Sequence, residues 1–276
     1  MKPRSNRRPV LTSLVLTLSL ILASFFPVSA ASYPNNIAAL GDSITRAYNT
    51  SRAFVDAPQN SWSTGTSTAV NSLYLRLLAK NPALSGQYFN YAVTGAKMTS
   101  LATQAAKVGS SIQYVTILIG ANDVCTSSES TLTSVANFQA QFQAGLNTIR
   151  TKAPNAQIYV VSIPNIYNLW AILRTNATAR FTWSLFGICQ SMLANANSTS
   201  TTDAARRARV KQRNIDFNTV LATVCAATAN CRFDNNAVFN TTFVTTDVST
   251  RDYFHPSLAG QAKLAVTAWG AAGFTP

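Results

Sequence analysis

Three stretches of this chain share one pattern: an apolar, β-branched run that stops at a glycine beside small polar residues. Tyr114-Val115-Thr116-Ile117-Leu118-Ile119 runs into Gly120-Ala121-Asn122-Asp123. Ile37-Ala38-Ala39-Leu40 runs into Gly41-Asp42-Ser43, and Tyr88-Phe89-Asn90-Tyr91-Ala92-Val93 into Thr94-Gly95. A continuous apolar run of this length reads as a strand buried on both faces. Parallel strands bring such ends to one edge of a sheet, where open α/β folds place their ligands. A glycine at a strand end can also do no more than turn the chain.

The same pattern predicts strands over 35–40, 88–93, 114–119 and 157–163, the last stopped by Pro164, and a weak fifth over 232–239. Helical spacing runs over 69–80 (Val70, Leu73, Tyr74, Leu77, Leu78) until Asn81-Pro82 ends it. Further helices are predicted over 101–108, 131–152, 203–228 and 258–269. Residues 47–68 and 241–251 read as loops. Over 165–202 the pattern weakens, with Tyr167, Trp170, Phe181, Trp183 and Phe186 among polar residues. That segment is either an insertion packed on the core or an apolar wall or lid over a pocket. Strands alternating with helices imply an α/β fold with a parallel, doubly wound sheet.

The first thirty residues stand outside this pattern. Lys2, Arg4, Arg7 and Arg8 precede an apolar run from Val10 to Phe26, and Val28-Ser29-Ala30 offers a small-residue cleavage site. This is a signal peptide over 1–30, with a mature, secreted chain beginning at Ala31 or Ser32. Residues 31–276 then form a single catalytic domain, a length that suits one α/β core. Four cysteines in an exported chain suggest two disulfides. Cys225 and Cys231 flank a short loop and pair with each other, which leaves Cys125 to Cys189. One histidine and no Cys-x-x-Cys leave an ordinary zinc site without ligands, so no metal or other cofactor is expected.

Loss of the four leader bases takes the formal charge from +13 to +9. Such a surface favours anionic partners, including transient contact with lipid. The densest basic run, Arg206 to Arg213, falls in a predicted helix and reads as a solvated face. No nucleic-acid motif accompanies it. The domain is expected to be a monomer.

The chemistry narrows quickly, because the chain holds nine carboxylates and one histidine. His255 lies in Asp252-Tyr253-Phe254-His255-Pro256, with Asp252 near enough to orient its ring. Ser43 follows a strand-ending Gly-Asp, and a serine hydroxyl needs a base such as histidine to become a nucleophile. The N–H groups of Ser43 and Gly95 and the side-chain amide of Asn122 are candidate donors to a developing oxyanion. Asp42 and Asp123 read as turn-organising carboxylates. A glycosidase would need two carboxylates facing a sugar and would leave Ser43 and His255 unexplained.

These residues resemble the SGNH hydrolases, also called GDSL esterases and lipases. Gly41-Asp42-Ser43-Ile44 is similar to the nucleophile block, with Ile for the usual Leu. Gly95, Gly120-Ala121-Asn122-Asp123 and Asp252-Tyr253-Phe254-His255 are similar to the other three blocks, in order. The resemblance implies a three-layer α/β/α sandwich with a flavodoxin-like five-stranded sheet and no metal. It implies Ser43 as nucleophile, His255 as base, Asp252 as its orienter, and an oxyanion hole from Ser43, Gly95 and Asn122. Asn60-Ser61-Trp62-Ser63-Thr64-Gly65 and Asn122-Asp123-Val124-Cys125 resemble the phospholipase B-like branch, which adds phospholipid to the possible ester substrates. The alternatives are a carbohydrate O-acetyl esterase and a basic secreted binding module that keeps the fold without turnover.

Overall fold

Five short parallel strands form one sheet in the order β2-β1-β3-β4-β5. They are β1 (Ile37–Gly41), β2 (Tyr88–Asn90), β3 (Tyr114–Leu118), β4 (Gln157–Val160) and β5 (Cys231–Phe233). This is the flavodoxin-like order, and it comes from a computed structural model that describes Met1 and residues 33–274. Residues 2–30 of the leader predicted over 1–30 lie outside the described residues. Tyr33–Pro276 form one compact unit.

Helices α1 (Leu73–Leu78), α2 (Leu101–Ala105), α3 (Ala121–Val124) and α4 (Val135–Lys152) occupy the first half. They are followed by α5 (Ile166–Leu173), α6 (Ala177–Leu185), α7 (Gln190–Leu193), α8 (Thr201–Ala226) and α9 (Leu258–Ala271). Most begin at a side chain that caps a free N–H: Ser72, Ser134, Asn165, Asn176, Ser200 and Ser257 each accept from the residue three ahead.

Alternation along the strands sorts the layers. Thr116 and Tyr159 are register partners. The Thr116 hydroxyl meets Ser63 at 2.7 Å, and the Tyr159 hydroxyl donates to the Ala268 carbonyl of α9 at 2.7 Å. Helices α2, α4 and α8 pack side by side, with the Phe138 and Phe217 rings stacked 3.9 Å apart between α4 and α8.

Several predicted elements differ from the structure. Strand β2 is an edge strand with the adjacent residues Tyr88 and Phe89 both exposed, so neither of its faces is buried as predicted. Its regular pairing stops at Asn90, although Tyr91 and Val93 still donate to Ala39 and Gly41. The fifth strand ends at Phe233, because Asp234 turns the chain by accepting from Asn236 and Val238 N–H. The predicted loop over 47–68 is packed rather than open: Ser61, Trp62, Ser63 and Thr64 are buried. Residues 165–202 form three helices.

The basic run is a solvated face only in part. Arg207 is buried over the Trp170 ring at 4.4 Å and donates to Ser198 O. Arg209 pairs with Glu129, and Arg213 donates to Thr133 O. Arg207 and Arg213 thus bind neighbouring backbone, while Arg209 stays exposed beside its carboxylate. The structure carries the bonds Cys125–Cys189 and Cys225–Cys231, the second joining the end of α8 to β5.

The turn after β1 depends on a close approach. A Cβ at Gly41 would sit 2.4 Å from Leu118 O and 2.5 Å from Thr45 Oγ1. Gly41→Ala is therefore expected to cost roughly 1–3 kcal/mol in urea unfolding, the range of overpacked cores. Gly109→Ala, where nothing lies within 4 Å, is the matched control. Equal stability of the two variants would contradict the close approach.

Candidate active site

Beyond the carboxyl end of β1 the chain folds into a tight turn that carries Ser43. Asp42 Oδ1 accepts from Ile44 N–H at 2.9 Å, and Arg46 and Tyr48 donate back to Asp42 O and Ser43 O. The turn is pinned by two buried glutamines. Gln104 of α2 binds both sides of Gly41, accepting from its N–H and donating to its carbonyl, each at 2.8 Å. Gln261 of α9 donates to Ile44 O at 2.8 Å and accepts from Trp62 N–H at 2.9 Å.

The other half of the site comes from the segment before α9. Tyr253 takes φ +55°, an uncommon conformation for a bulky residue. Its N–H donates to Ser249 O, its carbonyl accepts from Trp183 Nε1 of α6, and Ser249 N–H donates to His255 O. These bonds hold a closed loop that swings His255 over Ser43. Ser43 Oγ lies 2.8 Å from His255 Nε2, and His255 Nδ1 lies 2.5 Å from Asp252 Oδ2. The Tyr48 and Phe254 rings flank the imidazole at 4.9 and 5.1 Å.

Asp252 is buried and fully engaged. Its Oδ1 accepts from Phe254 and His255 N–H, and its Oδ2 accepts from Asn49 Nδ2 as well as facing the imidazole. Burial alone would raise its carboxyl. The His255 hydrogen bond and charge, with the two backbone N–H groups, outweigh burial and hold it below its ordinary value. A carboxylate kept ionised beside imidazole favours the imidazolium that forms when a proton is taken from serine.

At the ends of β2 and β3, Asn122 Nδ2 donates to Ala96 O at 3.0 Å. Asp123 accepts from Met98 N–H and the Thr133 hydroxyl, so it organises the turn and does not face the cleft. Asn122 lines the cleft with Ser43 and His255. Gly95 takes φ +81° in the exposed turn next to Ala96 and is not among the cleft-lining residues. The N–H groups of Ser43 and Gly95 make no hydrogen bond among the described residues. A cleft opens beside Ser43 and His255. Ile166, Leu169 and Ile172 of α5 line it together with Phe243, Val248 and Phe254.

A family model described as GDSL-like lipase/acylhydrolase matches residues 37–266. The chain belongs to that family. It is a carboxylic ester hydrolase, which sets aside a binding module without turnover. Solved structures similar to it include the extracellular lipase of Streptomyces rimosus, at 18% identity and TM-score 0.53, covering 86% of this chain and 99% of that one. The phospholipase A1 of Streptomyces albidoflavus NA297 is similar at 19% identity and TM-score 0.51, covering 85% and 98%. No curated protein matches the sequence.

Sequence reasoning did not single out Asn49, Gln104 or Gln261 in this GDSL-family hydrolase. Each acts on a residue more than sixty positions away, so no local spacing marks it. Asn49 holds Asp252 with one end and accepts from Phe54 N–H with the other. Asn49→Ala is expected to lower kcat by roughly 10- to 10²-fold, the value of a buried bond to a charged group, with KM little changed. Asn49→Asp is expected to be worse, since it sets a second carboxylate against Asp252. Normal kcat with lowered stability would show that Asn49 only supports the loop.

Asp42 makes a separate prediction. Burial raises its carboxyl from 3.8 to about 7, against the opposing Ile44 N–H and His255 charge, and the nearby Asp123 adds to the rise. Between about 4 and 7 the folded protein then holds a proton that the unfolded chain has released, so stability falls as pH rises through that window. Asp42→Asn is expected to remove this slope, a change on the order of 4 kcal/mol between about pH 4 and pH 8. Parallel unfolding curves for the two proteins would contradict a neutral buried Asp42.

Proposed function

We propose that this hydrolase is a secreted serine esterase acting on acyl lipids, with Ser43, His255 and Asp252 as its triad. The observation that carries the mechanism is the continuous chain of contacts from Ser43 Oγ through His255 to Asp252. Ser43 Oγ attacks the ester carbonyl as His255 Nε2 takes its proton, and Asp252 stabilises the resulting imidazolium. The oxyanion is met by Ser43 N–H and the second N–H of Asn122; Gly95 N–H, free of hydrogen bonds among the described residues but outside the lining of this cleft, is the third donor that the family blocks imply. His255 then protonates the leaving alcohol, and water, deprotonated by the same histidine, releases the acid from the acyl-enzyme.

The lining of the cleft supports this substrate class. Its apolar lining of Ile166, Leu169, Ile172, Phe243, Val248 and Phe254 suits an acyl chain. An acetyl group on a polysaccharide would bury little of that surface. The likeness to a phospholipase A1 supports including phospholipids. Secretion is supported by the leader-like N-terminus and by two disulfides.

Ser43→Ala is expected to abolish turnover without loss of fold, and a serine-directed phosphonate to label Ser43 alone. Asn122→Ala is expected to lower kcat by roughly 10²–10³-fold with little change in KM. Rates on p-nitrophenyl esters should rise from acetyl to longer chains. Label on another serine would overturn the nucleophile, and faster turnover of acetylated xylan than of long-chain esters would overturn the substrate class.

A further inference from the structure

Helix α6 has two dissimilar apolar faces. Ala179, Thr182 and Trp183 are buried, and Trp183 reaches the His255 loop. Phe181 and Leu185, one turn apart, point outward at 66% and 61% exposure, and Phe186 follows at 55%. Across from them Phe54 and Val55 project from the segment after Asn49, at 57% and 46%. The Phe54 and Phe186 rings meet at 5.7 Å, so the two segments form one patch. Phe54 holds φ +60°. A bulky residue in the left-handed region is strained, and here the strain is borne by an aromatic ring that faces solvent.

Charge around the patch has one sign. Arg52 precedes Phe54, and Arg251 donates to Ser51 O and Asn49 O beside it. On the helical side Arg180 adjoins Phe181 and donates to Arg174 O. Residues 130–202 contain no carboxylate. Asp56, the carboxylate nearest Phe54 in sequence, is neutralised by Arg46. Exposed aromatic and leucine side chains flanked by arginine are the composition of a surface that inserts among acyl chains beneath anionic headgroups.

We propose that this patch docks the enzyme on an anionic lipid surface and so delivers lipid to the neighbouring cleft. The inference rests on the acyl-lipid reading above. The patch borders both loops that hold Asp252, through Asn49 on one side and Trp183 on the other. Seated there, the bilayer lies beside the triad, and a substrate molecule need not cross bulk water.

Vesicle sedimentation with phosphatidylglycerol or phosphatidylcholine tests the proposal, with every protein in a Ser43→Ala background so that hydrolysis does not alter the vesicles. Phe181→Ser/Leu185→Ser/Phe186→Ser is expected to lower partitioning onto phosphatidylglycerol by roughly 10²-fold. Arg52→Gln and Arg180→Gln are expected to lower it about fivefold each, and only on the anionic lipid. With Ser43 restored, all three variants should hydrolyse a soluble short-chain ester at the wild-type rate. Wild-type partitioning by the triple variant would overturn the proposal. So would failure of the parent to bind, equal binding to both lipids, or a patch-dependent dimer in sedimentation velocity. Binding without hydrolysis of any lipid ester by the active enzyme would instead leave the docking surface standing and remove the lipid-substrate reading.

Discussion

Buried peptide groups beyond the ends of a sheet have no ladder to join, and each must find a partner without water. That constraint shapes this molecule more than any single contact in its core. Five of its nine carboxylates answer it. Asp42 accepts from Ile44 N–H, Asp123 from Met98, Asp234 from Asn236 and Val238, Asp247 from Val244, and Asp252 from Phe254 and His255. Gln104 and Gln261 do the same work without charge. The turns that carry Ser43, Asn122 and His255 are rigid because side chains satisfy their backbone.

The scarcity of acid then acquires a second meaning. With most carboxylates drawn inward or paired, the outer surface is left to arginine and lysine. The formal charge of +9 over residues 31–276 understates the contrast, because the negative groups are mainly interior. The burial that organises the turns therefore also leaves the surface attractive to anions.

The strand ends were legible in the sequence because a parallel sheet has one carboxyl edge, and a run of apolar residues stopping at glycine marks it. Ser43, Asn122 and His255 could be placed there from motif and scarcity alone. Residues 165–202 resisted because their helices are short and two-sided: α5 gives Ile166, Leu169 and Ile172 to the cleft and Trp170 to the packing against α8. Their capping residues, Asn165 and Asn176, were visible signals of helix starts. Asn49 left none, since its partner lies 203 positions away. The basic run was read only in part, because charge in a sequence does not say whether a guanidinium faces water, as at Arg209, or a carbonyl, as at Arg207.

The bond between Cys125 and Cys189 joins the strand edge just after Asn122 to the helical segment that includes the cleft wall. Its loop of 64 residues encloses β4, α4, α5 and α6, so the constraint on the unfolded chain is larger than that of the six-residue loop at Cys225. The cleft and the sheet are thus fastened together by chemistry that an oxidising compartment maintains and a reducing one removes. The fastening of the cleft wall is therefore conditional on the redox state of the compartment in which the chain folds.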